Sequence, residues 1–190
     1  RAVKFSLTER VLRVSHFGRP FNDCDVRGIC GIAESTKDLT SIGRFGIGFK
    51  SVYAFAERPE VHSGDEDFAI ESYVWPIATP EVGRTPDETI IVLPLKSQDD
   101  QALHEIAKGL QRLGPRALLF LRQVEEIGWI VEGGPSGLYL RSTPEAVGEN
   151  VRRITVIGQE EGKLDVEETW IVFSREAKTG AGTGVGQVEI

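Results

Sequence analysis

Long apolar runs, an excess of basic charge and clustered metal-ligand residues are all missing from this sequence of 190 residues. No run of apolar residues approaches the ~20 that a membrane-spanning helix needs. No secretory leader opens the chain either. Lysine and arginine number 22 against 29 acidic residues, a net charge of −7. That balance argues against non-specific adhesion to nucleic acid or to an anionic membrane. Cys24 and Cys30 lack metal-ligand spacing, and the three histidines are scattered. The cysteines read as reduced thiols of a cytoplasmic protein rather than a disulfide or a zinc site. No residue is offered as a metal ligand. The first residue is Arg, not Met, which reads as a piece of a longer protein. The length suits one or two domains with a core of their own.

What the chain does have is glycine in a patterned place. Ser41 to Ser51 reads Ser-Ile-Gly-Arg-Phe-Gly-Ile-Gly-Phe-Lys-Ser, with Gly43, Gly46 and Gly48 spaced G-x-x-G-x-G. Phe49, Val52, Tyr53 and Ala56 then follow at helical spacing. Glycine lets another group approach the backbone closely. A helix start presents unpaired N–H groups and the positive end of a dipole. The combination suits either a phosphate site or tight loop packing. It is not a Walker A loop: Phe49 stands between Gly48 and Lys50-Ser51. One extra residue turns the lysine by roughly 100° on a helix. The dinucleotide fingerprint has its gaps in the opposite order.

Elsewhere the pattern is of strands and one strong helix. Val3 to Val14 reads as a hairpin turning at Thr8-Glu9, at the edge of a sheet. Asn22 or Asp23 caps a helix whose apolar face is Val26, Ile29, Cys30 and Ala33, weakened by Gly28 and Gly31 at about 1 kcal/mol each. Glu60 to His62 and Phe68 to Trp75 read as paired strands around a turn at 63–66, with His62 on the sheet surface. Pro76 to Pro86 reads as a loop. Thr89 to Leu95 is continuously apolar, which marks a central strand. Ser97 to Leu113 is a helix with Leu103, Ile106, Ala107, Leu110 and Leu113 as its stripe, stopped by Gly114-Pro115. From Glu125 onward strands alternate with glycine turns, as a β-rich second unit or an extension of the first sheet. The glycines between 180 and 186 read as a flexible linker.

Three flanking stretches give the glycine loop its context: Val14-Ser15-His16-Phe17-Gly18-Arg19-Pro20-Phe21, Ile32-Ala33-Glu34-Ser35-Thr36-Lys37 and Thr89-Ile90-Ile91-Val92-Leu93-Pro94-Leu95. In this order they resemble the GHKL ATPases, which share the Bergerat ATP-binding fold. The likeness is to the ninety-kilodalton heat-shock chaperone branch and the sacsin-type modules, over roughly residues 5 to 120. It implies an α+β fold, a two-layer α/β sandwich lacking its first helix in this chain, followed by the β-rich unit. The expected division is 1–96 for the nucleotide domain, 97–122 for a helical connector and 123–190 for the second unit.

The resemblance also implies roles. Gly43, Arg44, Phe45, Gly46, Ile47, Gly48 and Phe49 would hold phosphate, with Lys37 beside them and Lys50 a lesser candidate. Ser35 and Thr36 would belong to a lid over the nucleotide. His16, Gly18 and Thr89 would lie on the adenine side. His16 stands where the family has the aspartate of D-x-G-x-G, and Pro20 replaces the second glycine. A neutral imidazole nitrogen accepts a hydrogen bond as that aspartate does. The implied cofactors are ATP and Mg2+, the latter with its ligand upstream of Arg1. No catalytic residue is assigned, because the family's E-x-x-x-N-x-x-D-A helix also falls upstream. Two readings stay open: an ATP-binding module whose lid closure couples to the following unit, hydrolysing slowly when the upstream helix is present, or a degenerate module acting as a scaffold or regulatory interaction domain. Protein clients, partner domains and a homodimer are the implied partners; nucleic acid and membrane are not.

Overall fold

A computed structural model describes residues 1–31, 48–96, 100–178 and 184–189. Three antiparallel ribbons occupy the first half. β1 (Ala2–Thr8) and β2 (Val11–Phe17) form the expected hairpin, and Glu9 takes the left-handed backbone at its turn, φ 52°. After α1 (Asp23–Cys30) and a 3-10 turn (Phe49–Ala54) come β3 (Glu60–Ser63), β4 (Glu66–Glu71), β5 (Trp75–Ala78) and β6 (Glu88–Pro94). Then follow α2 (Asp100–Arg112) and a second 3-10 turn (Pro115–Leu119). The chain closes with β7 (Glu126–Val131), β8 (Ser136–Arg141), β9 (Glu145–Gly148), β10 (Val151–Glu160), β11 (Val166–Lys178) and β12 (Gly184–Glu189).

Among the described residues these strands make a single sheet in the order β12-β11-β10-β8-β7-β1-β2-β6-β3-β4-β5, with β9 on β10. Every pairing is antiparallel except β1 with β7. The fold is therefore mixed α and β, dominated by strands. That parallel seam joins strands from either side of the expected 97–122 connector.

Directly paired residues share a face, and the face alternates along each strand. Following the register, Phe68, Val61, Ile91, Val14, Phe5 and Trp129 form one row. Two residues along each strand, Ser63, Thr89, His16, Val3, Ile127 and Tyr139 form a second row on the same face. Helices cover this face in two places. Cys30 of α1 and Tyr53 of the first 3-10 turn pack with Val61, Phe68 and Ile70, joined by Val26, Ile29, Phe49 and Val52. The α2 stripe, Leu103, Ile106, Ala107, Leu110 and Leu113, packs on Leu7, Ile127, Trp129 and Tyr139. Tyr139 ties the end of α2 to the sheet: its hydroxyl donates to the Leu113 carbonyl at 2.6 Å and lies 3.0 Å from Glu160 Oε1. Burial pushes this phenol up to about 12. Gly137, directly opposite Trp129, has to be glycine, because a Cβ there would fall 2.4 Å from Trp129 Nε1.

Several expectations change. The first hairpin is not at an edge; β1 lies between β2 and β7. Edge or centre is decided by a partner 124 positions away (Ala2 with Glu126), which no local pattern reports. Phe68 to Trp75 is not one strand. Ser72 and Tyr73 take positive φ, 49° and 71°, and turn the chain back into β5, which occupies the start of the expected loop. Aromatic and β-branched residues run through that turn, so composition hides it. Within the glycine-rich tail, 184–189 is a strand paired with β11 rather than a linker. Gly114 and Pro115 do end α2, and β6 is central as expected.

Candidate functional site

The site is built at the point where β2 hands the chain to α1. Gly18 N–H donates to the Asp87 carbonyl at 2.8 Å, closing the end of the β2–β6 ladder. Phe21 N–H donates to Ser63 Oγ at 2.9 Å. Pro20 presses on the β3–β4 turn so closely that a Cβ on Gly64, φ +57°, would sit 2.9 Å from its own. Asn22 then opens α1 with a capping box: its side chain accepts from Cys24 and Asp25 N–H, and Asp25 accepts from Asn22 N–H. Arg19 pairs with Asp25 on the outside. Pro20, where the resembled family has glycine, thus serves as a packing residue.

His16 stands directly opposite Thr89 in the β2–β6 register, and Thr89 directly opposite Ser63. His16 is half-buried; Thr89 and Ser63 are fully buried. Desolvation lowers the His16 pKa from 6.5, so the ring is neutral at neutral pH and offers one lone pair and one N–H. Ser63 Oγ and Thr89 Oγ1 are 2.5 Å apart. Two hydroxyls carry two hydrogens, and only one lies between them. Ser63 already accepts from Phe21, so one O–H of the pair is left to donate elsewhere. Beside these polar groups, Val3, Phe5, Val14 and Ile91 are only half-buried, an apolar strip between the α1 side and the α2 side of the face. His16 and the apolar strip are the accessible part of this face, and the Ser63–Thr89 pair is buried next to them.

The helical spacing of Phe49, Val52, Tyr53 and Ala56 predicts an α-helix after Gly48. The segment is instead a six-residue 3-10 turn, too short to present a helix dipole. Gly48 is exposed, with nothing within 4 Å of a Cβ placed on it. Phe49 packs edge-on to Tyr53, with centroids 6.5 Å apart. Gly43, Arg44, Phe45, Gly46, Ile47, Lys37, Ser35 and Thr36 lie outside the described residues. Gly18 lies at the end of β2, where a Cβ would meet only the Arg1 guanidinium at 3.6 Å. Lys50 is committed to structure: Nζ donates to the Cys30 carbonyl at 3.0 Å and to the Tyr73 carbonyl at 2.5 Å. That bond ties position 30 to position 50, so the two described segments flanking 32–47 meet beside the site. Burial pushes the Cys30 thiol up, keeping it protonated, and lowers the Lys50 pKa. Tyr53 is pushed up to about 12 by burial, and its hydroxyl is buried without a hydrogen-bond partner among the described residues.

No family model matches this chain. The chain is similar to Protein NO VEIN of Arabidopsis thaliana. They share 27% identity over 188 aligned residues, which take in 83% of this chain and 7% of that protein. The chain therefore spans a small fraction of that curated relative. A crystal structure of the N-terminal domain of a DNA repair protein superposes with a TM-score of 0.48 at 10% identity, covering 82% of this chain and 61% of that one.

Sequence reasoning missed two groups. Ser63 read as part of a turn; its bond to Thr89 bridges 26 positions, and only the β3–β6 pairing reveals it. His62, expected on the surface, is 1% exposed on the opposite face. Its Nδ1 is 2.6 Å from Asp67 Oδ1, and Arg84 grips Asp67 with two bonds of 2.8 and 2.9 Å. Burial works to raise the Asp67 carboxyl, but Arg84 and His62 together hold it below its usual range. The Arg84 loop covers what alternation alone had left open to solvent. Among the described residues no group of three or more His, Cys, Asp or Glu could hold a metal ion.

Proposed function

We propose that this chain is an ATP-binding module of the GHKL type, related to the chaperone and sacsin branches. The resemblance in residues 14–21, 32–53 and 89–95 motivates the reading. The observation that carries it is the row His16–Thr89–Ser63, which sets a neutral, half-buried imidazole at the accessible end of a buried hydroxyl pair. A purine edge presents complementary donors and acceptors, and the half-buried strip beside the row suits its flat face. The described residues fit the base better than the metal: they offer no Mg2+ ligand set, and in this reading that ligand lies upstream. In the same reading the module is a Bergerat sandwich in a cytoplasmic protein. The lid, residues about 30 to 45, closes over phosphate, and closure is coupled through 97–122 to the following strands.

Calorimetric titration of the full-length protein with Mg-ATP tests this. Wild type is expected to bind, while Gly46→Val and His16→Phe each weaken binding at least tenfold. Equal heats from all three proteins would refute the reading. The scaffold alternative is favoured by one observation, that Pro20 is spent on packing against Gly64. A Glu and an Asn one helical turn apart in the residues encoded before Arg1 would favour hydrolysis over it.

A further inference from the structure

β1 and β7, the one parallel pair, end side by side against α2. There they leave an open pocket of about 330 Å3, away from His16 and Thr89. Leu7, which is almost wholly buried, Val131, and Leu103 and Ala107 of α2 are its apolar lining. Glu9, Glu132 and exposed His104 are its polar lining; among the described residues no lysine or arginine lines it. The polar lining is held in place: Glu9 N–H donates to Glu132 Oε2 at 2.7 Å, and Glu132 N–H donates to the Leu7 carbonyl at 2.9 Å. Glu9 and Glu132 are both exposed, and among the described residues neither carboxylate meets a cationic side chain. Two negative charges thus stand beside an apolar lining that a charged group alone would not use.

We propose that this pocket docks an arginine side chain from a partner protein. Arginine fits each part of it. Its aliphatic stem covers Leu7 and Val131. Its guanidinium answers the charge of Glu9 and Glu132, and its planar fork can take one carboxylate bidentately, with His104 at the same opening. An uncharged apolar side chain would bury the carboxylates unpaired, and an anion would be repelled. The site is independent of the nucleotide reading.

Amide chemical-shift mapping on the 15N-labelled chain tests it, with a blocked Ala-Leu-Arg-Leu-Ala peptide as probe. Saturable shifts are expected at Glu9, Leu103, His104, Ala107 and Glu132. Replacing the peptide's arginine by citrulline, the same shape without charge, should weaken binding at least tenfold. The Glu9→Gln/Glu132→Gln double variant should do the same, with its spectrum elsewhere unchanged. No shifts at millimolar peptide, shifts centred elsewhere, or equal binding of the citrulline peptide would overturn the proposal. Should the double variant fail to fold, the two peptides on the wild-type chain decide.

Discussion

His16 shows how the residue type sets the chemistry a position can perform. A carboxylate there would accept hydrogen bonds at any pH above its own pKa; an imidazole accepts only when neutral. Burial lowers the folded-state pKa of His16 below 6.5. In the unfolded chain the ring takes up a proton near 6.5, so the unfolded state binds more protons between the two values. Stability is full above about pH 6.5 and declines as pH falls through that window. Nucleotide binding, if it uses the His16 lone pair, falls over a lower range, as the folded ring charges. The expected result is a His16 NMR titration midpoint below that of a free imidazole, with Mg-ATP affinity lost in step. Affinity that stays flat down to pH 5 would remove His16 from the adenine contact. The apolar Thr89–Leu95 strand was legible in the sequence. The hydroxyl pairing of Thr89 with Ser63 was not, because it depends on which strands lie side by side.

At the scale of elements, Lys50 joins α1 to the turn between β4 and β5. Read as a phosphate candidate, it proves to be a cross-brace: it caps the last turn of α1 at Cys30 and holds the strained Tyr73 turn. A cation at a helix C-terminus is favourable on its own account. Lys50→Met keeps the aliphatic stem and loses both bonds. The expected cost is about 1–3 kcal/mol, with faster amide exchange at Ile29–Gly31 and at Val74. Unchanged melting and exchange would mean the brace does not form in solution. The body and end of helix α2 were legible, because its stripe and its Gly114-Pro115 stop are local signals; its expected start at Ser97 lies outside the described residues. The Ser72–Tyr73 reversal was not. Neither residue is a glycine, so the left-handed backbone there is imposed by surroundings such as Lys50 and the Tyr53 ring, 4.7 Å from that of Tyr73. Local propensity points the other way, and tertiary contacts override it.

Across the whole molecule, the β1–β7 seam makes one sheet of two runs of sequence that composition suggested dividing. Leu7, Trp129, Ile127 and Tyr139 share a core with α2, so that core needs both runs, while the Val61, Phe68 and Ile70 core belongs to the first run alone. A chain ending at residue 122 is expected to lose cooperative unfolding and to aggregate, since β1 would present an uncovered edge. Circular dichroism melts and size-exclusion profiles of that truncation beside residues 1–190 check this; a monomeric truncation with a sharp melt would count against it. The sequence could not announce the seam. Parallel neighbours carry no turn signal, and the pairing links positions more than a hundred residues apart.

The same seam sets a timetable for synthesis. The hairpin of β1 and β2 leaves the ribosome early, yet its outer flank finds no partner until Val131 has been made. At 5–20 residues per second the wait is on the order of ten seconds. During that interval Phe5 and Leu7 face the cell uncovered. A nascent chain of this kind is a natural substrate for holdase factors, and slowing translation between residues 20 and 120 should lower its soluble yield.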